Sequence, residues 1–331
     1  MLFRSEFTVE EAKARELGFT LGFGTYDGVS AGLRLADRDL LGNGRPLAFG
    51  LDYTQRGIRG ELLYVDPWVF DSRFSLRARL YSAVRAEEGY TKNEIGVRLD
   101  VGRRLLPHLE VAAFIEQATV KVTESTIDPL LLGPTDYTLS SVGFTQTTDF
   151  RDNPINPSRG WVFTSSFDIT NIDGQTSFLR GTARFSIYQP IGKKCLLALG
   201  ARVGGLQPVA DQIPIDARFF NGGSTTVRSF AERGLGPKDR LGNPLGGQFY
   251  TVLNAEFTFP IYGGLDGAVF IDAGNLTDWK MAGLSDLRYA LGLGLRYKLP
   301  VGPLRLDYGI NPSARADEDA GAFHFSFGFA F

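Results

Sequence analysis

The sequence predicts an all-β chain: a transmembrane antiparallel β-barrel of about sixteen strands, with a long inward-folding loop between strands 11 and 12. Three observations lead there. From Leu17 onward, apolar and polar residues alternate with period two, the signature of strands with one apolar face. The polar face of nearly every strand carries charge, as in Arg34, Arg77, Arg79, Arg98, Asp100, Arg296, Arg305 and Asp307. The mean hydropathy of -0.07 is near neutral, as alternation between lipid-facing and lumen-facing positions requires. A soluble sandwich or propeller would also alternate, but its outer face would not carry so regular a set of charges.

The strands follow in order. Leu17, Phe19, Leu21 and Phe23 alternate with Gly18, Thr20, Gly22 and Gly24, and Asp27-Gly28 marks a hairpin turn. Val29 to Leu35 form the return strand, and Asn43-Gly44 marks the next turn. Leu47 to Tyr53 follow, then a noisier strand over about 57–66, then alternating runs around Phe74–Leu80 and Ile95–Val101. Further strands fall near 107–123, 137–149, 160–171, 177–189 and 193–205, and, after a long loop, near 248–260, 265–274, 286–298, 302–311 and 321–331. Eleven strands therefore precede the loop and five follow it. In the last strand Phe323, Phe325, Phe327, Phe329 and Phe331 share one face. Such an edge aggregates in water and is at home in lipid. A terminal aromatic there also looks like the sorting signal of bacterial outer-membrane proteins.

The loop Phe219–Gly247 organises the rest. It is Gly-rich and charged, yet holds Val227-Arg228-Ser229-Phe230. An arginine between apolar residues in a polar loop suggests that the loop folds inward and needs an anion; the alternative is a mobile surface loop. The segment from Arg151 to Gly160, with Pro154 and Pro157, reads as a rigid turn.

Composition narrows the function. The net charge of -2 does not suit a nucleic-acid binder. One cysteine, Cys195, allows no intrachain disulfide. No metalloprotease, phosphate-loop or hydrolase-elbow motif is present, and His108 and His324 have no partner at ligand spacing, so no catalysis, metal or cofactor is expected. Residues 1–16 carry seven charges, no glycine and no apolar run of signal-peptide type.

These features together resemble the barrel of the Omp85 superfamily, whose members insert or translocate proteins across outer membranes. The likeness covers nearly the whole chain. Val227-Arg228-Ser229-Phe230 is similar to that family's loop-six motif Val-Arg-Gly-Phe/Tyr, with Ser229 in place of glycine, and it follows the eleventh strand as in the family. The turns at 37–44 and 151–160 are similar to family turns as well. The resemblance implies that Arg228 meets acidic residues on the inner wall. Alternation turns Glu256 and Asp272 inward on neighbouring strands, where one guanidinium can bridge both; as bare lumen charges they could equally be ordinary wetted groups.

The resemblance also implies a weak seam between the first strand (Gly18, Gly22, Gly24) and the last (Gly328, Phe331), which opens to template client strands. Residues 1–16 look like the tail of a periplasmic POTRA module, with the barrel at 17–331; the chain would then be a fragment, or else a naturally short member. The expected partners are the lipid bilayer, unfolded outer-membrane or secreted clients, and periplasmic or inner-membrane accessory subunits. The expected location is the bacterial outer membrane. A two-partner-type secretion translocator and a passive porin are the other readings.

Overall fold

The computed structural model describes residues 13–209, 212–281, 283–284, 286–299, 303–316 and 318–327. Its sixteen strands are β1 (Arg15–Gly24), β2 (Gly28–Asp37), β3 (Leu47–Thr54), β4 (Gly57–Asp66), β5 (Ser75–Glu87), β6 (Tyr90–Leu106), β7 (Leu109–Thr123), β8 (Asp136–Asp149), β9 (Gly160–Ile172), β10 (Gln175–Ile191), β11 (Cys195–Pro208), β12 (Phe249–Tyr262), β13 (Leu265–Thr277), β14 (Arg288–Tyr297), β15 (Leu304–Ile310) and β16 (Gly321–Phe327). Each pairs with the next in one sheet. The pairing is antiparallel throughout. The even count puts the start of β1 and the end of β16 at one rim, called here the terminal rim. The β11–β12 loop leaves from the opposite one, the loop rim.

The period-two pattern becomes two chemically distinct faces. In the β1–β2 pair, Leu17, Phe19, Leu21 and Phe23 oppose Leu35, Leu33, Ala31 and Val29, while Gly18, Thr20 and Gly22 oppose Arg34, Gly32 and Ser30. The apolar set faces outward; Leu21 is 86% exposed although it lies mid-strand. Inward charges meet along and across strands, as where Arg98 donates to Asp100 two residues on and to Glu116 of the neighbouring β7. A closed sheet satisfies its backbone without water, so such an apolar outer surface fits hydrocarbon. No helix among the described residues is long and apolar enough to cross a membrane.

The interior holds separate apolar clusters where loops meet the wall. Val227, Phe230 and Leu235 pack on Phe270, Leu276 and Ala290. Near the loop rim, Ile127 and Leu132 of the β7–β8 loop pack with Tyr90, Val122 and Ile215.

The sheet does not close as it pairs elsewhere. Strands β6 and β7 pair from Thr91↔Thr123 to Leu106↔Leu109. Between β1 and β16, the described residues offer one backbone hydrogen bond, Thr25 N–H to Phe325 O at 3.2 Å, and a ring contact of Phe23 with Phe325 at 5.9 Å. The result is a nearly closed barrel with an unsealed seam.

The eleven-and-five division holds. Strand β1 begins at Arg15, two residues before the expected barrel start, because Arg15 and Glu16 already pair with Asp37 and Ala36. The β11–β12 connection, 209–248, is longer than 219–247. Gly328, Phe329 and Phe331, and residues 1–12 of the segment 1–16 read as a POTRA tail, lie outside the described residues.

The turn 150–159 is rigid for a reason beyond its prolines. The Asp152 carboxylate accepts the Ser158 hydroxyl and the backbone N–H groups of Asn153, Ser158 and Arg159, the last three at 2.9, 2.9 and 3.1 Å. These donors, the Ser158 hydroxyl foremost, hold its pKa down at about 2. A depressed carboxylate pKa stabilises above the ordinary value of 3.8, and the contribution is lost as pH falls towards about 2. The amide resonances of Asn153 and Ser158 should therefore stay folded at pH 4 and shift only well below pH 3. In Asp152→Asn that transition should be absent; its persistence there would assign it to another group.

Candidate functional site

The β11–β12 loop enters the lumen through tight glycine turns. Gly222 and Gly223 have φ of 99° and 110°, conformations that side chains resist. Phe230 N–H to Val227 O at 3.2 Å and Gly223 N–H to Phe230 O at 3.2 Å fold the segment into a compact tip. The tip is fully inside: Val227, Arg228 and Ser229 are 0% exposed and Phe230 is 5% exposed.

Arg228 meets the two carboxylates expected of it. Its Nε and Nη2 donate to Asp272 at 2.8 Å each, and its backbone N–H donates to the same carboxylate at 3.1 Å. Its Nη1 donates to Glu256 at 2.5 Å. The guanidinium lies 3.4 Å from the centroid of the Phe270 ring, a cation–π contact. Strand register explains the convergence: Glu256 pairs across with Phe270, and Asn254 with Asp272, so all four share the lumen face. Asn254 Nδ2 donates to Asp272 at 2.8 Å and to Thr226 O at 2.7 Å, tying wall to loop.

Three further groups complete the cluster. Arg296 donates to Glu256 at 3.1 and 2.8 Å and pairs with Asp307 at 2.7 Å. Arg305 donates to Asp307 at 2.7 Å and to Ser224 O at 3.2 Å. Arg228, Arg296 and Arg305 thus balance Glu256, Asp272 and Asp307, all six buried. The wall makes room with glycines. A Cβ on Gly309 would lie 2.6 Å from the Arg228 carbonyl carbon, and one on Gly274 would lie 2.8 Å from Val227 Cγ2. Ser229 replaces the family's glycine without strain, since it is not left-handed. Its hydroxyl donates to Tyr289 O at 2.8 Å.

The loop is held on the other side as well. Arg233 pairs with Glu87, donates Nη2–H to the Tyr90 hydroxyl at 2.9 Å, and stacks 3.4 Å from the centroid of the Phe220 ring. The loop therefore crosses the lumen from the β12–β16 wall to β5 and β6. Its tip also reaches the seam: His324 of β16 donates Nε2–H to Arg228 O at 3.1 Å. A cleft of about 1380 Å³ lies between β1 and β16, lined by Gly22, Gly24 and Phe325, with Ser224, Thr225 and Glu232 of the loop behind it. Gly18 lies on the same face of β1 but outside that lining.

The motif and both carboxylates therefore meet as expected. Arg296, Arg305 and Asp307 were assigned to the lumen wall by alternation but not to the site, and Asn254, Phe270, Arg233 and His324 were not singled out as anchors. Alternation turns residues inward; only register brings Arg305 level with Arg296 and Asp307 level with His324. Among the described residues no group of His, Cys, Asp or Glu is placed to hold a metal ion.

Removing one member of a buried charge cluster costs about 3–5 kcal/mol, because its partners stay buried and uncompensated. Arg228→Glu should release the loop, so that trypsin cuts at Lys238 and Arg240 in the folded barrel much faster than in wild type. Arg228→Lys keeps the charge but loses the forked geometry, and should fall between the two. Wild-type resistance in Arg228→Glu would show that the cluster does not hold the loop. His324→Ala should leave this protease resistance intact yet raise hydrogen exchange along β16; unchanged exchange would remove His324 from the seam.

Comparison with known proteins places this architecture. Residues 39–331 match the Omp85 superfamily domain. A SAM50-like protein of Schizosaccharomyces pombe is 26% identical, over 88% of this chain and 66% of that protein. The outer membrane protein assembly factor BamA of Nitratidesulfovibrio vulgaris is 23% identical, over 97% of this chain and 42% of that protein. The chain thus spans between about two fifths and two thirds of these relatives' lengths. The crystal structure of BamA from Haemophilus ducreyi lacking POTRA domains 1–3 superposes with a TM-score of 0.83 at 17% identity, over 96% of this chain and 70% of that one. CdiB from Acinetobacter baumannii superposes with a TM-score of 0.60 at 12% identity, over 95% of this chain and 58% of that one. With the family's domain matched over most of its length and the loop motif seated on its acidic wall, this chain belongs to the Omp85 superfamily.

Proposed function

We propose that this barrel acts in a bacterial outer membrane as an assembly factor, inserting or translocating other β-strand proteins without enzymatic chemistry. The observation that carries the reading is the unsealed seam. Elsewhere each strand edge is paired; at β1 and β16 the described residues share one backbone hydrogen bond. An unpaired edge presents N–H and C=O groups to an incoming strand, and pairing with it is β-augmentation. In hydrocarbon the incentive is large, because a client backbone finds no water there.

The Arg228 cluster supplies the complementary requirement. A barrel that opens on one side needs a fixed remainder, and the loop braces β12–β16 against β5 and β6. The glycines of β1 that line the cleft carry no side chain to obstruct a client backbone. The relatives named as assembly factors support the same reading. The loop crossing the lumen argues against a passive porin, whose channel stays open to solutes.

The test uses proteoliposomes carrying the protein, an unfolded outer-membrane client and a solute-swelling assay in the same vesicles. Client folding, followed by protease protection, should accelerate while swelling stays low. Free swelling with no effect on the client would favour a pore instead.

A further inference from the structure

Two turns of the terminal rim are copies of one another. In the β2–β3 turn, Asp37 Oδ1 accepts Asp39 N–H at 3.0 Å, Leu40 N–H donates to Arg45 O at 3.1 Å, and Gly42 N–H donates to Asp39 O at 3.0 Å. In the β4–β5 turn, Asp66 Oδ1 accepts Trp68 N–H at 3.0 Å, Val69 N–H donates to Phe74 O at 2.9 Å, and Asp71 N–H donates to Trp68 O at 2.9 Å. The backbone angles repeat too. Asp39 and Trp68 have φ of -137° and -141°; Leu41 and Phe70, at the tips, have φ of 58° and 52°.

Left-handed backbone is costly for bulky apolar residues, and such strain persists only where surroundings impose it. Here both turns impose it, and both use it to display a large apolar side chain: Leu41 is 89% exposed and Phe70 is 96% exposed. The turns are joined to each other by an Arg45–Asp66 ion pair at 3.2 Å and by Val65 N–H to Pro46 O at 2.9 Å. Trp68 beside them is 61% exposed, and Leu106 of the neighbouring hairpin is 62% exposed. No described residue covers this rim.

We propose that these paired turns are a membrane-insertion device: Leu41, Phe70 and Trp68 enter the bilayer leaflet on the terminal side. Continuity identifies the occupant. The strands these turns join, β2 to β5, present Leu35, Phe49, Leu51, Leu62 and Leu80 to the lipid, and the turns extend that apolar surface past the strand ends. Tryptophan next to aliphatic and phenyl groups is the composition that settles at the hydrocarbon–headgroup boundary. The aromatic girdle of a membrane barrel is ordinarily borne on strands, as Tyr262 and Tyr297 are at this rim; here rigid turns add to it, close to the strand that forms the seam. The β1-side edge would thereby be fixed in depth.

The chain has three tryptophans, so Trp161→Phe with Trp279→Phe leaves Trp68 as the sole emitter. The protein is reconstituted in phosphatidylcholine vesicles with bromine at shallow or deep acyl positions, with acrylamide present on both faces. Trp68 should lose most of its emission to shallow bromine and little to acrylamide, and Leu41→Ser with Phe70→Ser should shift quenching towards acrylamide. A second reporter avoids the tryptophan changes: a nitroxide on Leu41→Cys, with Cys195→Ser, should collide with oxygen more than with a water-soluble nickel complex. Trp68 quenched by acrylamide as freely as indole in water would overturn the proposal. Shielding from both acrylamide and bromine would overturn it too, since protein would then cover the rim.

Discussion

Everything in this barrel depends on six buried charges staying balanced. Arg228, Arg296 and Arg305 sit with Glu256, Asp272 and Asp307, drawn from one loop and four strands. Desolvating an ion costs several kcal/mol even after relaxation. The cluster repays that cost only because each carboxylate is shared and the bidentate Arg228–Asp272 pair is well aligned. A cluster of this kind is weak as a source of net stability. It is strong as a device for position, since displacing the loop strands the wall carboxylates and displacing a strand strands the arginines.

That property suits a barrel with one open side. A sheet closed by hydrogen bonds all round resists deformation everywhere. This sheet lacks that at β1 and β16, so some other constraint must keep the lumen wall from relaxing. The cluster lies on β12–β15 and touches β16 through His324, while Arg233 reaches β5 and β6. Rigidity is thus placed beside the seam and across from it, and not in the seam. The β15–β16 ladder and the His324–Arg228 bond connect the brace to the last strand, whose other edge is left almost unpaired.

Much of this was legible in the sequence, for physical reasons. Period-two alternation survives in a barrel because each face meets a uniform medium, so strand number and facing followed from residues such as Leu17–Gly24 directly. The Val227–Phe230 motif stood out because an arginine between apolar residues is costly in a loop unless it is buried with an anion. What alternation cannot show is register. Glu256 and Asp272 were found from facing together with the family resemblance, whereas Arg305 and Asp307 joined them only once strand pairing set their heights. His324 was invisible as an anchor because its partner is a backbone carbonyl, which leaves no trace in side-chain chemistry.

The repeated turns at 37–46 and 66–74 show the same limit from the other side. Their sequences share a leading aspartate and an apolar pair at the tip, but the rest differs, and Asp39 in one aligns with Trp68 in the other. What repeats is the backbone bond pattern, which many sequences satisfy. The feature that matters, a bulky side chain held left-handed and uncovered, belongs to conformation. Alternation assigns each strand to lipid or lumen and stops at the turn, where the period ends. The barrel's contact with its membrane does not stop there. A barrel with an unsealed seam has more need of a fixed depth near that edge than a sealed porin does, and the two rigid apolar tips proposed to enter the bilayer between β2 and β5 would provide it through geometry that composition alone does not encode.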